Sequence, residues 1–435
     1  MNRFTQRPGS TATRLLPISV ALIMMAAMWS YYWGVVIPAE LAYAATTNSP
    51  RGNLSDLYPR WLGARELILH ERDPYSTAMT ADMQRGVWGR TVDARSSGDP
   101  TDESRFAYPL YVVFLLAPTV TLPFELVQAL FVVIAVGLSI ASVWLWLRSF
   151  GEPICPMVLA VVSTLVVGSY PFVQALRVEQ LGLIVAALIA GTMAAVATDK
   201  FWAAGIMLAL AMIKPHVALP VAAWLLLWTF SKWPERRTVF VSFTATMVVL
   251  VVGAEVLLPG WIWKWREGAA AYMRYATLPP AQVQLMLGRL LGGAAAAALI
   301  LAVAVVCWRA RYDSASTERF KFVLPLMLTT YLIVSPIWHN YDHVLLLPAA
   351  LLAFHWRAQF FGLRPFAQAL VSLSAVTLAW QWVAALAVSM TALVSPATAQ
   401  SWQILPWLSI LLVPTSALIS LILLARIRFS GAGSS

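Results

Sequence analysis

The sequence predicts an all-α polytopic membrane protein that crosses the bilayer about twelve times, with one long extracytoplasmic loop after the first helix. Three observations carry this. Apolar and aromatic residues make up 60% of the 435 positions and charged residues only 11%, less than half the roughly 25% of a soluble domain. The apolar residues fall in runs near the ~20 residues that span a hydrocarbon core. The basic residues gather in alternate connections, as the positive-inside bias requires.

The elements follow in order. The first apolar run, from about Leu15 to Pro38, is preceded by Arg3, Arg7 and Arg14. Ala42-Tyr43-Ala44 loosely fits a cleavage site, but the run exceeds the roughly 7–15 residues of a signal-peptide core. It reads as an uncleaved first helix with a cytoplasmic N-terminus. A polar segment from Glu40 to Phe106 holds half of the chain's 20 acidic residues. Residues 109–122 are apolar, but Pro118 and Pro123 make them a short or re-entrant piece. Further runs lie near Phe124–Leu147, Met157–Phe172, Leu181–Ala197, Trp202–Ile213, Ala218–Phe230, Val239–Leu258, Met286–Val306, Phe322–Ile337, Val344–Phe354, Ala367–Met390 and Leu405–Leu424. Residues 1–425 form one transmembrane domain in this reading. Residues 40–107 are its first extracytoplasmic loop, and 426–435 a cytoplasmic tail ending in a disordered Ser-Gly-Ala-Gly-Ser-Ser.

Charge sets the orientation. Inner connections carry Arg148, Lys200, Lys232, Arg236, Arg237, the Arg309–Lys321 loop, Arg357, Arg364, Arg426 and Arg428. Outer short connections hold Arg177, Lys214, Lys264, Arg266, Arg274 and Arg289. Both termini are therefore expected in the cytoplasm. The net charge of +10 belongs to these inner loops. No basic stretch interleaved with aromatics supports a nucleic-acid partner, while membrane lipids are expected neighbours. Cys155 and Cys307, on different helices, are expected to pack as small apolar residues without a disulfide. No fixed-period repeat or inverted symmetry appears, which disfavours common transporter plans.

Four polar segments fall on the outer side. They are Asp56; the turn bearing Gln174, Arg177, Glu179 and Gln180; Lys214 with His216; and the turn of His339, Asp342 and His343. Ionisable groups at membrane depth line cavities or pair with one another. Singly, each has a bland reading. Lys214 can snorkel, Arg177 and Glu179 can pair at a helix end, His216 and His343 can sit at the interface, and Asp56 can be solvated. Together they suit one chemistry. A carboxylate serves as general base on a hydroxyl, while Arg, Lys and His donors hold a phosphate as negative charge builds on it. Apolar helices hold a lipid tail. That combination fits an acceptor hydroxyl attacking a lipid-phosphate-linked sugar.

No phosphate-cradling glycine loop, dinucleotide fingerprint or Asp-x-Asp pair is present, and neither His-Glu-x-x-His nor Cys-x-x-Cys occurs. The expectation is no metal and no cofactor.

Several landmarks then resemble a known family. Asp56-Leu-Tyr is followed by Arg72-Asp73-Pro74-Tyr75. Phe106-Ala-Tyr108-Pro109, with Leu110 in place of a second proline, precedes Pro118 and Leu122-Pro123. Gln174 to Gly182 resembles a Gly-Gln-x-Asn turn. Ile213-Lys214-Pro215 and Ser335-Pro336 to Pro348, with His339, Tyr341 and Asp342, are closer matches. In order and spacing they resemble the multi-pass bacterial glycosyltransferases of family 87 (GT-C type), which include polyprenyl-phosphate-mannose-dependent mannosyltransferases.

The resemblance implies a GT-C fold in the bacterial plasma membrane and an extracytoplasmic site. It also implies a polyprenyl-phosphate sugar donor, often mannose, and inverting transfer to a lipid or glycan acceptor, with Asp56 as base. The expected roles are then Arg177, Lys214 and His339 at the donor phosphate, and Gln180 and Asp342 positioning sugar hydroxyls or His339. Tyr108 is expected at the lipid entrance. Trp61 and Tyr75 are expected against the membrane, and Glu179, His216 and His343 as further lining. A transporter or flippase for an isoprenoid-linked or anionic substrate is the alternative. It calls for a second polar site at the inner side or midplane.

Overall fold

A computed structural model describes residues 11–46, 55–93, 99–100, 102–275, 280–336 and 339–430. Arg3, Arg7, Ile337, Trp338 and residues 431–435 of the expected tail lie outside the described residues. Among the described residues every regular element is helical.

The first apolar run forms helix α1 (Thr11–Tyr31), a wide π turn over Tyr32–Val36, and α2 (Ile37–Thr46). The π turn places two consecutive tyrosines inward. Tyr31 and Tyr32 are both fully buried. Such bulges shift side-chain register without ending the helix.

The long segment that follows contains two helices, α3 (Leu57–His70) and α4 (Thr77–Trp88). Helix α3 stops at Glu71, whose φ of 55° is left-handed; its N–H donates to the Leu67 carbonyl and the Arg72 N–H to the Glu66 carbonyl, both at 3.1 Å. Asp73 and Pro74 then turn the chain. The Asp73 carboxylate accepts the Tyr75 N–H at 2.9 Å, and Ser76 caps α4 by accepting the Met79 N–H at 3.2 Å. Gly63 on α3 admits Phe106, since a Cβ there would stand 2.6 Å from its ring. Trp61, expected against the membrane, is instead a core residue. It is 5% exposed, packs on Phe124 at 5.1 Å and donates to the Thr119 carbonyl at 3.2 Å. The residues from 109 to 122 make only a short helix, α5 (Val112–Leu116), and a 3₁₀ turn at Ala117–Thr119, as the prolines dictate.

The remaining helices are α6 (Phe124–Phe150), α7 (Pro156–Val167), α8 (Tyr170–Arg177), α9 (Gly182–Ala197), α10 (Phe201–Ala211), α11 (Pro215–Ser231), α12 (Trp233–Leu257), α13 (Trp261–Tyr275), α14 (Gln282–Leu287), α15 (Arg289–Ala310), α16 (Glu318–Val334), α17 (Leu347–His355), α18 (Pro365–Val394), α19 (Pro396–Ser401), α20 (Leu405–Leu408) and α21 (Val413–Ser430). Among the described residues six helical stretches are long and apolar enough to cross a membrane, at Leu15–Thr46, Phe124–Phe150, Trp233–Leu257, Arg289–Ala310, Pro365–Val394 and Pro396–Ser430.

The expected Met157–Phe172 span is broken into α7 and α8, bent by 56°. At the break Gly168 packs directly on α1, where a Cβ would lie 2.5 Å from the Met25 Cα. Ser169 then caps α8 through the Phe172 N–H. Helices α9, α10 and α11 are apolar but shorter. At 1.5 Å per residue they rise about 17–26 Å, less than the ~30 Å hydrocarbon core. The expected Val344–Phe354 span is a 3₁₀ segment, Asn340–Leu346, running into the nine-residue α17. Their ends supply the irregular backbone on which the polar residues sit. Cys155 and Cys307 form no disulfide with each other; Cys307 is buried, but Cys155, which precedes α7, is exposed rather than packed.

Candidate active site

Asp56 immediately precedes α3, the usual place for a capping side chain, yet its carboxylate caps nothing. Ser55 takes over that task, accepting the Tyr58 N–H at 3.2 Å. The Asp56 backbone is pinned to the α8–α9 turn, its N–H donating to the Val178 carbonyl at 2.8 Å. The carboxylate is thus released toward a cavity, where Gln180 donates to it from the same turn. Burial raises the Asp56 pKa above its ordinary value, against the opposing pull of Arg60.

The turn itself is held from behind. Glu179 adopts a left-handed φ of 52°. Its carboxylate accepts from Ser55 and, at 2.5 Å, from Gln128 on α6. Glu179 therefore joins three segments and does not line the cavity. That corrects its expected place among the lining residues: the two bonds turn the side chain inward.

Lys214 closes the gap between α10 and α11. Pro215 starts α11, where its missing N–H costs nothing, and disfavours helix at the residue before it. The Lys214 ammonium bonds the Asp342 carboxylate at 2.8 Å, with both side chains buried at 6% and 3% exposure. Burial disfavours the charged lysine, but Asp342 outweighs it and the Lys214 pKa is raised. Burial likewise works against ionised Asp342, and Lys214 holds its pKa low. Gly182 makes room for the pair, since a Cβ there would lie 3.2 Å from the ammonium. The second Asp342 oxygen accepts the His339 N–H at 3.2 Å, and the His339 ring stacks on Tyr341 at 4.8 Å.

These residues meet in one cavity of about 290 Å³. Asp56, Arg60, Tyr108, Gln180, Lys214, His216 and His339 line it, with Asp102, Arg105, Trp265, Tyr272 and Tyr341. Helix α13 forms one wall. It turns Trp265 and Tyr272 inward, while Ile262 and Trp263 on its other faces are exposed. Trp265 also bonds the Ala107 carbonyl at 3.1 Å, and Tyr75 donates to the Tyr108 carbonyl at 2.8 Å. Tyr75 thus braces the wall rather than meeting the membrane.

Two expected members stand elsewhere. Arg177 was expected beside Lys214 and His339. Its guanidinium is held instead by Glu40, at 2.9 Å through one nitrogen, and by the Tyr32 hydroxyl at 3.1 Å. It lines a second, polar cavity of about 370 Å³ that shares Asp56, Arg60, Asp102 and Ser104 with the first. His343 faces away, into an apolar cavity of about 250 Å³ between Val162, Leu347 and Trp382. It is turned there because it follows Asp342 on a 3₁₀ segment, where side chains three apart stack and the fourth is rotated off. Asp342 touches the cavity only through Lys214 and the His339 backbone.

Arg60 and Asp102 were missed. Arg60 lies one helical turn beyond Asp56, bonds its carbonyl at 2.7 Å and sits over the Tyr108 ring at 4.7 Å. Asp102 is brought in by a returning strand of chain, fixed where Trp88 donates to Ser104 at 3.1 Å. Among the described residues no three His, Cys, Asp or Glu side chains are grouped to hold a metal.

A helical bundle with several helices long and apolar enough to cross a membrane thus holds a buried carboxylate and several cations around one cavity. Residues 106–336 match glycosyltransferase family 87. That is over half of the chain, and the protein belongs to this family. No curated protein matches the sequence. The matched segment contains Tyr108, Arg177, Glu179, Gln180, Lys214 and His216. Asp56, His339, Asp342 and His343 lie outside it. Family membership makes the protein a membrane glycosyltransferase, with a sugar donor and an acceptor as substrates.

Proposed function

We propose that the protein transfers a hexose, mannose being the first candidate, from a polyprenyl-phosphate sugar to a lipid or glycan acceptor with inversion at the anomeric carbon. The observation that carries this is the convergence of Asp56, Arg60, Lys214 and His339 on one cavity. The acceptor oxygen attacks the anomeric carbon, and the bond from that carbon to the phosphate oxygen breaks. The bonding pair leaves with the polyprenyl phosphate, and the acceptor proton passes to Asp56. Arg60, Lys214 and His339 meet the charge that grows on the phosphate, so the reaction as written draws on no metal or cofactor. Gln180 orients Asp56, and Asp342 orients Lys214. The exposed Ile262 and Trp263 on α13 favour a donor arriving from the lipid side.

In this reading the shorter helices complete about twelve crossings of a bacterial plasma membrane. The termini are cytoplasmic and the cavity extracytoplasmic; the charge bias of the short loops supports that orientation.

The test is a transfer assay with purified protein, radiolabelled polyprenyl-phosphate mannose and a lipid extract of the source membrane, beside Asp56→Ala. Label should enter a new product with wild type only, while the variant still binds donor. Full activity in Asp56→Ala would sink the mechanism. No turnover of any lipid-linked sugar by wild type would sink the donor class.

A further inference from the structure

The second cavity has a chemistry of its own. It meets the first cavity at Asp56, Arg60, Asp102 and Ser104, and neither Lys214 nor His339 lines it. Its remaining wall includes Tyr32, Glu40, Trp88, Gln174 and Arg177. Arg177 and Glu40 are already paired across it, so that ion pair presents no excess charge to attract an anion. Gln174 is part of the wall, and its side-chain oxygen takes no hydrogen bond from another described protein group. An aromatic ring, amide and hydroxyl groups and a balanced ion pair together bind a neutral polyol better than a phosphate or an alkyl chain. The volume of about 370 Å³ is at the small end of ligand pockets.

An inverting displacement also needs its nucleophile opposite the leaving group. Lys214 and His339 belong to the first cavity alone, so a donor phosphate held by them leaves the face toward Arg177 for the incoming hydroxyl.

We propose that this second cavity is the acceptor subsite and that it takes the uncharged terminal sugar of a glycan or glycolipid, with Gln174 and Arg177 selecting it. The inference rests on the glycosyl-transfer reading above. It moves Arg177 from the donor phosphate to the acceptor. The acceptor hydroxyl bonds to the anomeric carbon as that carbon releases phosphate, and Asp56, at the boundary of the cavities, receives the proton.

The experiment uses the full-length protein in nanodiscs with labelled polyprenyl-phosphate hexose and two probe acceptors of equal chain length, an octyl hexoside and octanol. Wild type is expected to label the hexoside and not octanol. Gln174→Ala is expected to raise the KM for the hexoside about three- to tenfold, the loss of one hydrogen bond, with the donor KM unchanged. Gln174→Met, which keeps most of the side chain's length without the amide, serves as a second variant should the first not fold, with the same split expected. Donor consumed with label passing to octanol or water but not to the hexoside overturns the acceptor assignment and leaves the transferase reading intact. A change in donor KM with the acceptor KM unmoved overturns it equally. A wild type that consumes no donor overturns both readings.

Discussion

Two polar clusters, one at the start of α16 and one around the cavity that the segment after α16 enters through His339, use similar residues differently. At the first residue of α16, Glu318 is surrounded by partners. Lys321 lies at 3.0 Å, the Trp356 indole donates at 2.6 Å, and His355 and Arg428 stand at 3.4 and 3.6 Å. His355 reaches on to Glu152 just past α6 at 2.6 Å and Lys321 donates to the Phe150 carbonyl at 3.0 Å, so that α6, α16, α17 and α21 are tied together. Beyond the last turn of α16, His339 meets the cavity that Asp56 and Arg60 line from the start of α3 and Gln180 from the α8–α9 turn. Asp56 has one side-chain donor, Gln180, and the Gln180 oxygen and the Arg60 Nε are buried without partners. A charge whose valences are filled by neighbours holds helices in place. A charge left partly unfilled beside a cavity is available to a substrate.

The largest expected effect of breaking this contrast is at Asp56. Asp56→Asn keeps the shape and removes the base, so kcat should fall by roughly 10²–10⁴, the usual contribution of general acid–base catalysis, with donor binding retained. The pH profile sharpens the same point. Only the carboxylate form accepts a proton, so activity is lost as pH falls through the Asp56 pKa. Burial raises that pKa. The acid limb of kcat/KM should therefore lie above the ordinary value near 3.9. A limb at or below that value would show that another group limits the rate.

Next is the Lys214–Asp342 pair. Lys214→Met leaves Asp342 buried and uncompensated, which typically costs about 3–5 kcal/mol. Thermal unfolding in detergent should register that loss, and the paired replacement Lys214→Met with Asp342→Leu should recover part of it. If the single variant unfolds like wild type, the pair does not hold the α10–α11 break to the 3₁₀ segment.

The outline of the fold was legible because hydropathy is read one segment at a time. The long apolar helices follow from composition, and the prolines at 118 and 123 predict the short α5. Asp56, Gln180 and Lys214 stood out as charged or polar groups at the ends of apolar runs. What was not legible depended on local backbone shape. Arg60 follows Asp56 by four residues, a spacing that marks a shared helix face only once α3 is known to be helical. His343 was expected to line the same cavity as His339, and only the 3₁₀ geometry of the segment shows it turned elsewhere. Asp102 shows nothing in the hydropathy pattern: its carboxylate accepts the Ser104 N–H at 2.8 Å, and Ser104 in turn is fixed by the distant Trp88. Arg177 was misplaced because its partner Glu40 lies 137 positions away and nothing in either segment names the other.

The smallest effect, and the one that separates the two clusters most cleanly, is expected at Glu318. Glu318→Gln keeps the volume and can still accept from Trp356, but loses its attraction for Lys321, His355 and Arg428. The cluster is partly open to solvent, with side-chain exposures of 22% for Glu318 and 40% for Arg428, so screening limits the loss to about 1–2 kcal/mol. Unfolding should therefore shift downward by a few degrees, while kcat and both KM values stay at wild-type levels. If Glu318→Gln lowered turnover at unchanged stability, the cluster at the start of α16 would be coupled to the reaction. The division between a holding cluster and a reacting cluster would then fail.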